Sequence, residues 1–138
     1  MIDLAAANHT NRELELMLAG KKPLAMFYAE ISELPDERFI PDEAFKAFVT
    51  SGQFVRTEIE WASGYDPRVN RSLIFRYVFF ALQGEEWRIP AMILLKESHA
   101  KSNCVWSETL ERMSSALLGY SDEEVDAWCE THYRKPCE

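Results

Sequence analysis

Apolar positions crowd into two neighbouring runs, Arg71–Leu82 (RSLIFRYVFFAL) and Trp87–Glu97 (WRIPAMILLKE), separated by Gln83-Gly84-Glu85-Glu86. With Gly84-Glu85 as turn residues, the stretch Arg71–Glu97 reads as a β-hairpin. One face would carry Ile74, Arg76, Val78, Phe80 and Leu82 against Leu95, Ile93, Ala91, Ile89 and Trp87. The other would carry Leu73, Phe75, Tyr77, Phe79 and Ala81 against Lys96, Leu94, Met92, Pro90 and Arg88. A hairpin with one wet face alternates apolar and polar residues, whereas here both faces are apolar and both call for cover. The first face is aliphatic and suits helix packing. The second holds Phe, Tyr, Met and Arg, types enriched where proteins meet. Pro90 cannot donate to a ladder, which places its strand at an edge or a bulge.

The rest of the chain punctuates itself. Thr10 and Glu13 have capping-box spacing, Leu14, Met17 and Leu18 form a narrow stripe, and Gly20 suits a helix end. Pro23 leads into a strand candidate, PLAMFYAEI, followed by a polar loop over Ser32–Ile40. Pro41-Asp42-Glu43 starts a helix with Phe45, Phe48 and Val49 inward, ended by Gly52. Gln53–Ala62 alternates as a half-buried strand, with Val55, Thr57, Ile59 and Trp61 on one side and Arg56, Glu58 and Glu60 on the other. Ser63–Asn70 reads as a loop. After KESHAKSN a helix is expected from about Cys104, with Trp106, Leu110, Met113 and Leu117 in its stripe and Gly119 at its end. A last helix opens on the Ser121/Glu124 capping box and presents Val125, Trp128, Cys129, His132 and Tyr133 on one face.

The expected order is therefore α-β-α-β-β-β-α-α. It forms a single α+β domain over residues 1–138, with an antiparallel sheet of about four strands and helices packed on it. The chain's 138 residues suffice for an ordinary core.

Charge changes the picture in one respect. Net −8 divides into −4 over residues 1–55, +1 over 56–101 and −5 over 102–138, so the arginines gather on the sheet segments. An acidic balance without a basic cluster argues against nucleic acid. The first thirteen residues lack a basic n-region and an apolar run, and Leu73–Leu82 is too short to span a bilayer, so neither secretion nor membrane insertion is expected. The odd cysteine count (Cys104, Cys129, Cys137) fits a reducing, cytoplasmic setting.

Candidate chemistry is sparse. All five glycines belong to turns, loops or helix ends, which leaves no phosphate-cradling cluster. Cys129, His132 and Cys137 with His99 or Cys104 would suit zinc, but C-x2-H-x4-C is not a strong finger spacing, and Cys129 shares a face with core residues; no metal or cofactor is expected. Cys104 at a helix N-terminus would favour thiolate, with His99 as base and Ser102 or Asn103 orienting; equally, Cys104 packs and His99 is a loop residue. Arg76, inside an aliphatic face, needs a partner and finds candidates in Glu58 and Glu60; otherwise it anchors an anion in a pocket. The favoured reading is a small acidic protein that works non-catalytically through protein contacts, as inhibitor, immunity-type protein, regulatory adaptor or homodimer. Its contact residues would be Phe75, Tyr77, Phe79, Arg88 and Met92. The alternative is a ligand-binding protein or a thiol/histidine enzyme with its pocket between the sheet and the C-terminal helices.

Overall fold

The computed structural model describes residues 9–102 and 105–133. Among these, the elements run α1 (Glu13–Leu18), β1 (Leu24–Glu30), a 3-10 turn (Ile31–Glu33), α2 (Asp42–Thr50), β2 (Phe54–Asp66), β3 (Arg71–Leu82), α3 (Arg88–Ser102), α4 (Glu108–Leu118) and α5 (Asp122–His132). The fold is mixed helix and sheet. Its sheet is antiparallel with three strands in the order β1-β3-β2, so β3 is central.

The missing fourth strand is the second half of the expected hairpin, which is helix α3. Gly84 turns the chain at φ +91°, and the helix begins four residues later. Pro90 falls in the first helical turn, where a backbone N–H has no intrahelical partner to lose. Ile89, Met92 and Leu95 recur every three residues and are buried, whereas Leu94 is 65% exposed. A short apolar run of this kind has no strong alternation, and its Ala, Met, Leu, Lys and Glu content favours helix.

The hairpin that does form joins β2 to β3. The first half of the expected loop Ser63–Asn70 is strand and only the second half turns: β2 continues through a bulge between Ala62 and Gly64 to Asp66. Asp66 then accepts hydrogen bonds from the backbone and guanidinium of Arg68, and Asn70 takes a left-handed φ of 53° before β3. Two other boundaries shift. At α1 the N-cap residue is Arg12 and no side chain caps it, so the Thr10/Glu13 box does not start that helix. At α4 the N-cap is Ser107, whose Oγ accepts from Leu110 N, and the helix begins after Trp106 rather than near Cys104. The Ser121/Glu124 capping box is present with both reciprocal bonds.

Helices cover both faces of the sheet. Val78 and Phe80 of β3, Ala25 and Ala29 of β1 and Phe54 of β2 pack against Met17 of α1, Ile40, and Phe45 of α2. Phe45 stacks on Phe80 with ring centroids 4.2 Å apart. On the opposite face Leu24, Phe79 and Ala81 meet Ile89, Met92 and Leu95 of α3, with Leu110 and Leu117 of α4 alongside. α5 packs on α4.

A buried polar cluster ties the ends of this second layer together. The Lys22 ammonium donates to the Leu118 carbonyl (2.8 Å) at the C-terminus of α4, where a cation complements the helix dipole. It also lies 3.0 Å from His9 Nδ1, and the His9 ring stacks on Tyr120 at 3.6 Å.

Candidate functional site

The second face of the sheet is open at one end. α3 covers Phe79 and Ala81, but further along β3 the side chains of Tyr77 and Phe75 are only half-buried. Strand register decides their neighbours, since Tyr28 pairs with Tyr77 and Trp61 with Phe75. Tyr28 is 56% exposed and stacks on Tyr77 at 5.2 Å with planes 23° apart. Phe75 meets the Tyr28 ring edge-on at 6.3 Å, and Trp61 lies 6.1 Å from Tyr77. Three strands thus each contribute to one aromatic row: Tyr28, Tyr77 with Phe75, and Trp61. Burial and the neighbouring Tyr28 push the Tyr77 phenol pKa up.

Beside this row lies a half-open cleft of about 550 Å3. Trp61, Phe75 and Tyr77 form its sheet wall, and Lys96, His99 and Trp106 its helical wall. Helical spacing brings Lys96 and His99 together on the side of α3 next to the sheet. Trp106 follows the helix and is held by its indole N–H, which donates to Glu111 Oε2 at 2.7 Å. The His99 ring meets Trp106 nearly perpendicularly at 5.0 Å, and its buried Nε2 has no hydrogen-bond partner among the described residues. The Lys96 ammonium sits 5.1 Å from the centre of the Trp106 ring, within cation–π range. Burial lowers the Lys96 pKa, partly offset by the Glu111 carboxylate.

The five expected contact residues do not form one surface. Phe79 and Met92 are fully buried against each other's layer and serve the core. Arg88 is not on a strand beside them: its guanidinium pairs with Glu85 at 2.8 Å and donates to the Ala116 and Leu117 carbonyls, tying the start of α3 to the end of α4. Phe75 and Tyr77 do lie together, with Tyr28 and Trp61 as partners the sequence reading did not include. Trp61 was legible as part of an apolar side of β2, but its place across Tyr77 from Tyr28 depends on the order of three strands.

Of the weaker candidates, His99 lines the cleft and Cys104 lies outside the described residues, as do Asn103 and Cys137. Arg76 points to the opposite face of the sheet, where it pairs with Glu60 (2.9 Å) and Glu58 (3.4 Å), the two partners expected for it. The groove of about 620 Å3 beside it is lined by Asp36, Glu37, Asp42 and Glu43, an unfavourable setting for an anion. Cys129 is buried, while His132 is exposed and stacks on Trp128, so the two do not converge. Among the described residues no three His, Cys, Asp or Glu side chains are grouped as a metal site would require, and no helix is long and apolar enough to cross a membrane.

Comparison with protein-family models, with curated proteins and with solved structures finds no match to this chain.

Proposed function

We propose that the protein acts by binding a protein partner through the aromatic row Tyr28–Tyr77–Phe75–Trp61, a second copy of the chain being the simplest such partner. The observation that carries this reading is the exposure of stacked aromatic side chains on the end of the sheet that α3 leaves open. Tyr and Trp supply large contact area at little cost in side-chain entropy and dominate the energetics of many interfaces. The row is borne by strands rather than loops, so it meets a partner with little rearrangement. Tyr28 on β1 is near the sheet edge and Trp61 sits on the other edge strand, which makes the surface broad rather than deep.

Sedimentation velocity of the wild type and of Tyr28→Asp tests the self-associating form. A dimer that the substitution dissociates, with unchanged circular dichroism, identifies the partner as a second copy. A monomer leaves a different protein as the partner, and capture with wild-type and Tyr28→Asp baits then decides. A partner held by both baits equally would overturn the assignment of this row.

A further inference from the structure

The cleft next to the aromatic row has a composition that a protein contact surface does not require. Its sheet wall is Trp61, Phe75 and Tyr77 and its helical wall includes Trp106, so aromatic rings bound it on both sides. Its volume of about 550 Å3 falls in the range of small-molecule sites. Within it Lys96 is a half-buried cation whose close contact is the Trp106 ring, and among the described residues no carboxylate lies within ion-pair distance of it. An ammonium partly withdrawn from water in this way gains when an anion joins it. One ammonium on a protein of net charge −8 suits a monoanion rather than a phosphate dianion, which draws on several donors. Rings on both walls select a flat aromatic body, which gains from offset or edge-on stacking.

We infer that this cleft binds a small planar aromatic monocarboxylate, its ring between the Trp61/Tyr77 wall and Trp106 and its carboxylate on Lys96. The cleft shares Trp61, Phe75 and Tyr77 with the aromatic row and is set apart from it by Lys96, His99 and Trp106, while Tyr28 does not line it. The carboxylate that acts on Lys96 is Glu111, which is engaged with the Trp106 indole N–H and holds that ring in place.

A 1H–15N correlation titration of the full chain tests the inference with three probes: 2-naphthoate, the neutral 2-naphthamide, and the non-aromatic cyclohexanecarboxylate. The expected result is saturable binding of 2-naphthoate with shifts centred on residues 61, 77, 96, 99 and 106, and at least about tenfold weaker binding of the other two. Lys96→Met should weaken 2-naphthoate to the level of the amide and leave the amide unchanged. Absence of saturable binding at millimolar naphthoate, equal affinity for the amide, or an unchanged naphthoate affinity in Lys96→Met overturns it. The carboxylate–amide comparison needs no variant, so a folding defect in Lys96→Met does not shield the idea. Tyr28→Asp should retain naphthoate binding even where it abolishes protein association, which separates failure here from failure of the partner reading.

Discussion

The Lys22 ammonium lies 3.0 Å from His9 Nδ1, and both side chains are buried. An ammonium has only donors, so Nδ1 accepts and the imidazole is neutral in the folded protein. Burial first, and the Lys22 charge second, hold the His9 pKa down at about 4, from 6.5; Glu124, 3.7 Å from Nε2, opposes them through its charge and a hydrogen bond, and Arg12 adds to them.

This arrangement predicts acid sensitivity in a defined window. Between pH 6.5 and 4 the unfolded chain protonates His9 and the folded chain does not, so unfolding takes up a proton and stability falls as pH falls. The loss amounts to about 3 kcal/mol by the lower end. Stabilising carboxylates act lower down: Glu30, held at about 2 by Arg71, loses its contribution between pH 4.5 and 2. Burial lowers the Lys22 pKa to about 8, so the same linkage makes stability rise from pH 8 to 10.5. Urea unfolding at a series of pH values checks this. His9→Gln, which retains an acceptor for Lys22, should flatten the slope between pH 6.5 and 4; an unaltered slope would remove His9 from the account.

α3 offers a second test, because helix and strand assign its side chains differently. In a strand Met92 and Leu94 would share a face, whereas in the helix Met92 is fully buried and Leu94 is 65% exposed. Met92→Ala should cost about 2–5 kcal/mol and Leu94→Ala less than about 0.5 kcal/mol. Similar costs for the two substitutions in chemical denaturation would favour the strand.

Gly119 and Gly52 make a third comparison. Both have left-handed φ values, +91° and +82°, after helix ends. A methyl group on Gly119 would overlap Pro23 Cδ, while one on Gly52 would meet nothing within 4 Å. Gly52→Ala should cost about 1 kcal/mol for its backbone alone, and Gly119→Ala about 1–3 kcal/mol more. Equal shifts in denaturation midpoint would show that Pro23 yields freely.

These residues also show where the sequence was readable and where it was not. Elements with local signals came through: Ser121 and Glu124 form the box their spacing implies, Phe45 is buried in the helix opened by Pro41, and Val55 to Trp61 alternate along β2. RIPAMILLKE did not, because a buried amphipathic helix and a buried strand both look like a short apolar run. Placing that run in the sheet carried Met92 and Arg88 onto a surface to which neither belongs. The aromatic row was half legible. Phe75 and Tyr77 recur at period two within one strand, but Tyr28 and Trp61 join them only through a strand order that no local pattern encodes. Lys96 and His99 became neighbours of that row once α3 was a helix.

The central claim is that the row Tyr28–Tyr77–Phe75–Trp61 is an interaction surface. The most direct measurement is quantitative mass spectrometry of proteins retained by three baits: wild type, Tyr28→Asp, and Leu94→Asp as an exposed apolar control on α3. Each bait is first shown to unfold at the same denaturant midpoint as the wild type. The account predicts a partner, or a second copy of the chain, retained by wild type and Leu94→Asp and depleted at least about tenfold by Tyr28→Asp. Identical retention by wild type and Tyr28→Asp would contradict it.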